Sequence, residues 1–299
     1  MNDEEMEDML LGSIEAGGTK FVCAVGNEDY RVLEKATFPT TDPKTTFAQV
    51  IDFFKKFNDL AALSIASFGP IEIQKNNTRY GYITETPKKG WSNTDFVDPI
   101  KKALNIPVFF TTDVNGSAYG EYVLAQLFNE KIRSLVYLTI GTGIGGGAII
   151  DGKIVGSQGH TEMGHVRVKR HPDDLDFEGL CPFHHDCLEG LASGPTFEAR
   201  LGIKGQDVPK DHPIWDIVSY YVAQAAIQQT MILRPDNLVF GGGVVSEPFL
   251  EKVRRDFAQL NNQYVQVPDL TTYIRMPRAK DNGSATLGNF ALAFHELGK

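Results

Sequence analysis

Cysteine is scarce in this 299-residue chain, which holds three. That is too few for a disulfide framework and points to a reducing compartment, the cytoplasm. No charged leader precedes an apolar stretch and no run of about 18 apolar residues occurs, so neither export nor a membrane-spanning helix is expected. Positive charge is in deficit: 29 Lys and Arg stand against 38 Asp and Glu, a net charge of -9. Such a chain repels phosphate backbones and its basic residues are scattered, which argues against nucleic acid as a partner and for a small molecule. The pattern G-x-x-x-x-G-K-[ST] is missing, which excludes a Walker loop, and H-E-x-x-H is missing, which argues against a zinc hydrolase. The opening MNDEEMEDML is acidic and turn-free and reads as a frayed extension.

Glycine, by contrast, is placed at particular joints. LGSIEAGGTKFVCAVG followed by YRVLEKATF reads as strand, glycine turn, strand, turn, strand, because apolar and β-branched residues flank Ala16-Gly17-Gly18 and Gly26-Asn27. Asp42 and Pro43 stand as N-cap and first helical residue before TTFAQVIDFFKKF, where Phe47, Val50, Ile51 and Phe54 recur at helical spacing. The strand LSIASF, a helix near Phe96 to Leu104, the strand PVFFTT and the helix VNGSAYGEYVLAQL follow. SLVYLTIGTGIGGGAIIDGKIVG restarts the pattern, and a long helix around Ile214 to Leu233, the strand NLVFGGG and helices near Phe249 and Ala285 complete it. Hairpin-linked strands followed by strand-helix alternation predict an α/β protein with mixed sheets flanked by helices. The repeat predicts two like-folded halves with a ligand crevice between them.

Three glycine loops follow apolar strands: AGGTK, GTGIGGG and the GGG of Gly241 to Gly243. Glycine lets backbone N–H groups approach an anion closely, while Thr19 and Thr142 add hydroxyls and Lys20 a charge. Gly17, Gly18, Thr19, Lys20, Thr142, Gly143, Gly241, Gly242 and Gly243 are therefore candidate contacts to nucleotide phosphates, with a plain hairpin turn as the competing reading of each loop. GTGIGG lies between two strands, which argues against a Rossmann fingerprint. Asp113 stands where PVFFTT ends and a helix begins, a place for an N-cap or for a carboxylate base.

The loop CPFHHDCLEG gathers two of the three cysteines and two of the seven histidines. Cys181, His184 and Cys187 are spaced C-x-x-H-x-x-C, Pro182 makes this a turn, and His165 lies upstream. Two thiolates and two imidazoles form a tetrahedral set suited to a closed structural Zn²⁺ site; the alternative is a surface loop with unpaired thiols, and His185 competes with His184. Glu162 and Glu189 flank the ligands, so fixing the metal fixes two carboxylates beside it. Thr86 and Asn93 are candidates for contact with a substrate hydroxyl, and Trp91 is a candidate wall of the same site or a core residue. His160, His171, His212 and His295 read as ordinary surface or packing residues.

EAGGTKF, SFGPI, TTDVNGSAYGE, TIGTGIGGG, GHTEMGH, CPFHHDCLEG, FGGGV and NGSATLGNF, in this order from about Leu11 to the C-terminus, resemble sugar kinases of the ROK family. The CPFH..C form is similar to that of its bacterial fructokinases. The resemblance implies two ribonuclease-H-like lobes of the actin and hexokinase type, residues 11–113 as a small lobe and 114–299 as a large lobe carrying a zinc-binding loop at about 160–190. It further implies ATP with Mg²⁺ as phosphoryl donor, Asp113 of Asp113-Val114-Asn115 as catalytic base, and Glu162, His165 and Glu189 as sugar contacts. It also implies zinc on His165, Cys181, His184 and Cys187, a homodimer, and transfer to a hexose 6-hydroxyl, D-fructose first. Kinases of glucose, mannose or an amino sugar are the alternatives within the family. A sugar-sensing repressor would need a DNA-binding module ahead of the first strand, where about ten residues stand. Most members carry Asp where this chain has Glu15, whose role the resemblance leaves open.

Overall fold

A computed structural model of the protein describes residues 9–280 and 283–298. Residues 1–8 of the acidic opening and Asn282 of NGSATLGNF lie outside the described residues. In chain order the elements are β1 (Leu10–Ala16), β2 (Lys20–Gly26), β3 (Val32–Pro39), α1 (Pro43–Phe54), β4 (Leu60–Ser67), β5 (Tyr82–Ile83), β6 (Thr94–Asp95), α2 (Val97–Leu104), β7 (Val108–Thr112) and α3 (Asp113–Leu127). There follow β8 (Ser134–Ile140), β9 (Ile144–Ile150), β10 (Lys153–Ile154), α4 (Leu188–Ala192), α5 (Pro195–Leu201), α6 (Ile214–Leu233), β11 (Asn237–Gly241), α7 (Glu247–Asn261), α8 (Leu270–Tyr273), β12 (Ile274–Arg275) and α9 (Ser284–Glu296).

These form two compact units. The first takes the described chain up to Val123, the excursion Gly156–His160 and the chain from Ala279; the second takes Leu124–Val155 and Thr161–Arg278. The boundary expected after Asp113 thus falls ten residues later, and α9, expected in the large lobe, belongs to the first unit. The reason is the contact between α3 and α9: a Cβ on Gly120 would overlap the Ser284 carbonyl, and one on Gly288 would overlap the Gly116 carbonyl. Two helices approach this closely only where side chains are absent.

The first unit is built on a five-stranded sheet in the order β3-β2-β1-β4-β7, with β1 antiparallel to β2 and parallel to β4, and β4 parallel to β7. Asp42 caps α1 by accepting the Thr45 N–H at 3.0 Å, and Pro43 starts the helix, which buries Phe47, Val50, Phe53 and Phe54 against the sheet. Trp91 is fully buried among Phe21, Phe47, Phe68 and Phe96, and its indole N–H donates to the Thr41 carbonyl at 2.7 Å. It is a core residue. On the sheet's other face Asn289 of α9 donates to Ser13 Oγ and the Ile14 carbonyl, each at 3.0 Å, and accepts from Ser64 Oγ at 3.0 Å. A buried amide with its groups paired in this way fixes one seating of the helix.

The second unit repeats the plan with the order β10-β9-β8-β11-β12, again two antiparallel pairings followed by two parallel ones. Helix α6 is apolar along most of its 20 residues and is buried against α7 and α4. Trp215 lies between Phe197 and Phe249, at centroid distances of 4.6 and 5.8 Å. Arg200 and Tyr221 converge on the buried Asp174, with Arg200 Nη2 and the phenol each 2.7 Å from Oδ2, anchoring the loop that follows Thr161 to α5 and α6.

Candidate functional site

In the first unit the parallel strands end in register: Ala16 pairs with Ser67, and Ser67 with Thr112. The residues that follow therefore emerge together at the carboxyl edge, where ligands of open α/β sheets bind. They include the Gly17–Lys20 turn and Asp113. The N-cap is supplied by Thr112, whose Oγ1 accepts the Asn115 N–H at 3.1 Å, so capping does not use Asp113. The Asp113 carboxylate accepts the Val114 N–H at 2.9 Å and is half-buried; burial pushes its pKa up to about 6, against the pull of that hydrogen bond and of His160. Glu15, near the end of β1, is raised to about 7, first by burial and then by the charge of Asp113, with Lys35 and Lys20 opposing. Two carboxylates at one sheet edge thus titrate near neutrality, the range a general base needs.

The Gly17–Lys20 turn is a hairpin in which the Gly17 N–H donates to the Lys20 carbonyl at 2.9 Å, while Thr40 Oγ1 donates to the Gly17 carbonyl at 2.7 Å. Gly18, Thr19 and Lys20 are exposed on it. Thr86 exchanges hydrogen bonds with Ser92 through its backbone, at 3.2 and 2.9 Å. Asn93 accepts from Arg79.

In the second unit His165, Cys181, His184 and Cys187 converge, with one ligand atom from each lying within 4.8 Å of the others. His165 Nδ1 is 3.4 Å from Cys187 Sγ and 3.6 Å from Cys181 Sγ, and His184 Nδ1 is 3.6 Å from Cys181 Sγ. A tetrahedron with Zn–S of about 2.3 Å and Zn–N of about 2.0 Å has N···S edges of about 3.5 Å. The four donors therefore fit such an ion in number, kind and spacing. Both sulfurs are buried, and burial pushes the Cys187 thiol up to about 11, with Cys181 adding to the shift, so a thiolate pair here calls for a cation. The fold delivers the set through a hairpin in which the His185 N–H donates to the Cys181 carbonyl at 2.9 Å. That turn puts His185 at φ 55 and on the surface, while His184 points to the sulfurs.

Glu162 is exposed, and its carbonyl accepts the His165 N–H at 3.0 Å in a short 3-10 turn. Glu189 accepts the Ile144 N–H at 2.9 Å. Ile144 follows the glycine turn between β8 and β9, where the Gly141 N–H donates to the Gly143 carbonyl at 2.9 Å and Thr142 is exposed. Gly242, at φ 94, lies against the Ile140 backbone, and Gly243 is exposed beyond it.

Sequence reasoning missed His160. It belongs to the excursion Gly156–His160, which joins the first unit while its flanks join the second, and it acts electrostatically on Asp113. Among the other histidines left aside, His171 caps a short turn by accepting the Asp173 N–H at 3.1 Å and His212 accepts the Ile214 N–H at 3.1 Å. Both are structural.

Two units with one sheet order, each opening on strand, glycine turn, strand, define the actin-like and hexokinase-like fold class. The chain matches the ROK family over residues 11–296 and belongs to it. It is 56% identical over 288 residues to a fructokinase of Streptococcus mutans serotype c, covering 95% of this chain and 97% of that one. The fold is similar to that of the ROK hexokinase from Thermus thermophilus, with TM-score 0.80 and 22% identity over 97% of this chain and 99% of that one. It is also similar to a ROK family glucokinase from Streptomyces griseus in complex with glucose and AMPPNP, with TM-score 0.71 and 21% identity over 96% and 99%.

Proposed function

We propose that this protein transfers the γ-phosphoryl group of ATP to the 6-hydroxyl of a hexose, with D-fructose as the preferred acceptor. The observation that carries this reading is the chain-long identity to the Streptococcus mutans fructokinase. Asp113 is the general base: a carboxylate with a pKa of about 6 is ionised at neutral pH and still takes a proton as the hydroxyl attacks. Gly17, Gly18, Thr19, Lys20, Thr142, Gly143 and Gly241 to Gly243 are the candidate contacts to the nucleotide's phosphates, through backbone N–H groups and hydroxyls. Mg²⁺ accompanying the nucleotide supplies charge neutralisation on the phosphates.

Glu162, His165, Glu189 and Thr86 bind sugar hydroxyls, for which carboxylates are paired acceptors. Zinc on His165, Cys181, His184 and Cys187 supplies a cross-link and neutralises the two thiolates. His165 faces the sulfurs with Nδ1, which leaves Nε2 as a fixed N–H donor. Partners are the sugar, the nucleotide and a second copy of this chain in a homodimer. No helix of the described residues is long and apolar enough to cross a membrane, and a net charge of -9 disfavours nucleic acid as a partner. The compartment is the cytoplasm.

A coupled ADP-release assay with Mg²⁺-ATP and a panel of fructose, glucose, mannose and N-acetylmannosamine tests the reading. Fructose is expected to exceed the others by about tenfold or more in kcat/KM. Equal use of several sugars would demote the protein to a general hexokinase, and absence of ADP release with every sugar would overturn the reading.

A further inference from the structure

The glycine turn of the second unit is held on two sides by the stretches that carry metal ligands. Ile144, the first residue after the turn, donates its N–H to Glu189 Oε2 at 2.9 Å. The Gly194 N–H donates to the Gly141 carbonyl at 2.7 Å. Glu189 is the second residue of α4, whose N-cap is the ligand Cys187, and Ser193 returns to it by donating its N–H to the Glu189 carbonyl at 3.2 Å. Opposite, the turn that ends in His165 lies so close to β9 that a Cβ on Gly164 would overlap the Ile144 carbonyl, and one on Gly146 would stand 2.7 Å from Met163 Sδ.

We infer that Glu189 is a positioning residue for the Gly141–Ile144 turn, its carboxylate joining the Cys187 end of the metal loop to the backbone that receives the nucleotide. The inference rests on the nucleotide reading above. Charge gives it a distinctive sign. A carboxylate beside a phosphate site repels the ligand, so if Glu189 acted on the nucleotide by charge alone, removing it would tighten binding. If it acts by holding the turn, loss of the hydrogen bond loosens binding, while Gln, which keeps an acceptor and drops the charge, preserves it. The same residue then bears on both substrates, with one oxygen committed to the backbone and the other available to a sugar hydroxyl.

The test compares wild type, Glu189→Gln and Glu189→Ala at measured zinc content, in two readouts taken without sugar: amide hydrogen exchange at Ile144, and equilibrium binding of a non-hydrolysable ATP analogue with Mg²⁺. Because the acceptor of the Ile144 N–H is lost, Glu189→Ala is expected to speed Ile144 exchange and weaken the analogue by roughly tenfold each, while Glu189→Gln, which keeps an acceptor, stays near wild type in both. Gly143→Ala gives an independent check from outside the metal loop. Its Cβ would stand 2.7 Å from Glu189 Oε2, so it displaces the carboxylate and speeds Ile144 exchange with zinc retained. Unchanged exchange in Glu189→Ala, or tighter analogue binding by it, would overturn the inference. Wild-type protein that binds no analogue would overturn the nucleotide reading, while the exchange result still decides whether the tie exists.

Discussion

Replacing Asp113 by Asn removes a carboxylate that burial holds at a pKa of about 6, and the variant should be more stable and nearly inactive. Asn keeps an acceptor for the Val114 N–H, which the carboxylate takes at 2.9 Å, so the change is close to a pure loss of charge. A rise from 3.8 to about 6 corresponds to about 3 kcal/mol when the group is fully ionised. The side chain is only half-buried, and solvent screening reduces this to about 2 kcal/mol.

The sign follows from proton binding. Between the unfolded and folded pKa values the native state holds more protons, so wild-type stability is fully present below about pH 4 and is lost as pH rises through about 6. The variant lacks this loss. Its advantage should therefore be near zero at about pH 4 and reach about 2 kcal/mol at about pH 8. It gains further because the charge of Asp113 helps to raise Glu15. Urea unfolding of the nucleotide-free protein at the two pH values measures the difference, and kcat should fall by roughly 10² to 10⁴ fold. An advantage that is absent at the higher pH or equally large at the lower one refutes the electrostatic argument; near-normal turnover refutes the assignment as base.

Metal analysis should find about one zinc per chain in wild type and in His185→Ala but little in His184→Ala, since of these two neighbours it is His184 that faces the sulfurs; equal retention in both would contradict this ligand set. Trp91→Ala should cost about 3 to 5 kcal/mol by denaturant unfolding, whereas Trp91→Phe should leave the sugar KM unchanged, because the indole lies wholly in the core. Gly288→Ala should destabilise by about 3 kcal/mol, since its Cβ would overlap the Gly116 carbonyl and two backbones have little room to give; thermal unfolding reads it directly.

The parts legible in the sequence are those where local chemistry and packing agree. Helix α1 carries its own start in Asp42-Pro43 and its own buried face in Phe47, Val50 and Phe54. The duplicated strand openings repeat as identical sheet orders. Cys181, His184 and Cys187 converge because the hairpin that joins them is short, and both sulfurs are buried, which spacing alone does not reveal.

The rest depends on long-range placement. Nothing in GHTEMGH indicates that His160 joins one unit and His165 the other. Thr112 and Asp113 are both good caps, and only the helix geometry decides that the threonine takes the role. The short elements α4, α5 and β12 contain 5, 7 and 2 residues, too few for a periodic signal. The extent of the first unit was hidden because α9 and α3 recognise each other through missing side chains, which leave no apolar pattern.

The seating of α9 sets the order in which the protein is completed during synthesis. Ser64 and Asn289, which bond across the sheet's back face, are separated by 225 positions, so the first sheet to leave the ribosome waits for all of that intervening chain before its rear surface is sealed. Until then β1, β2 and β4 expose Leu11, Ala24 and Ala62, which are fully covered in the finished fold. The second sheet draws all its strands and helices from the intervening chain and can mature earlier, so the nascent protein passes through a stage in which its later-made half is the better folded one.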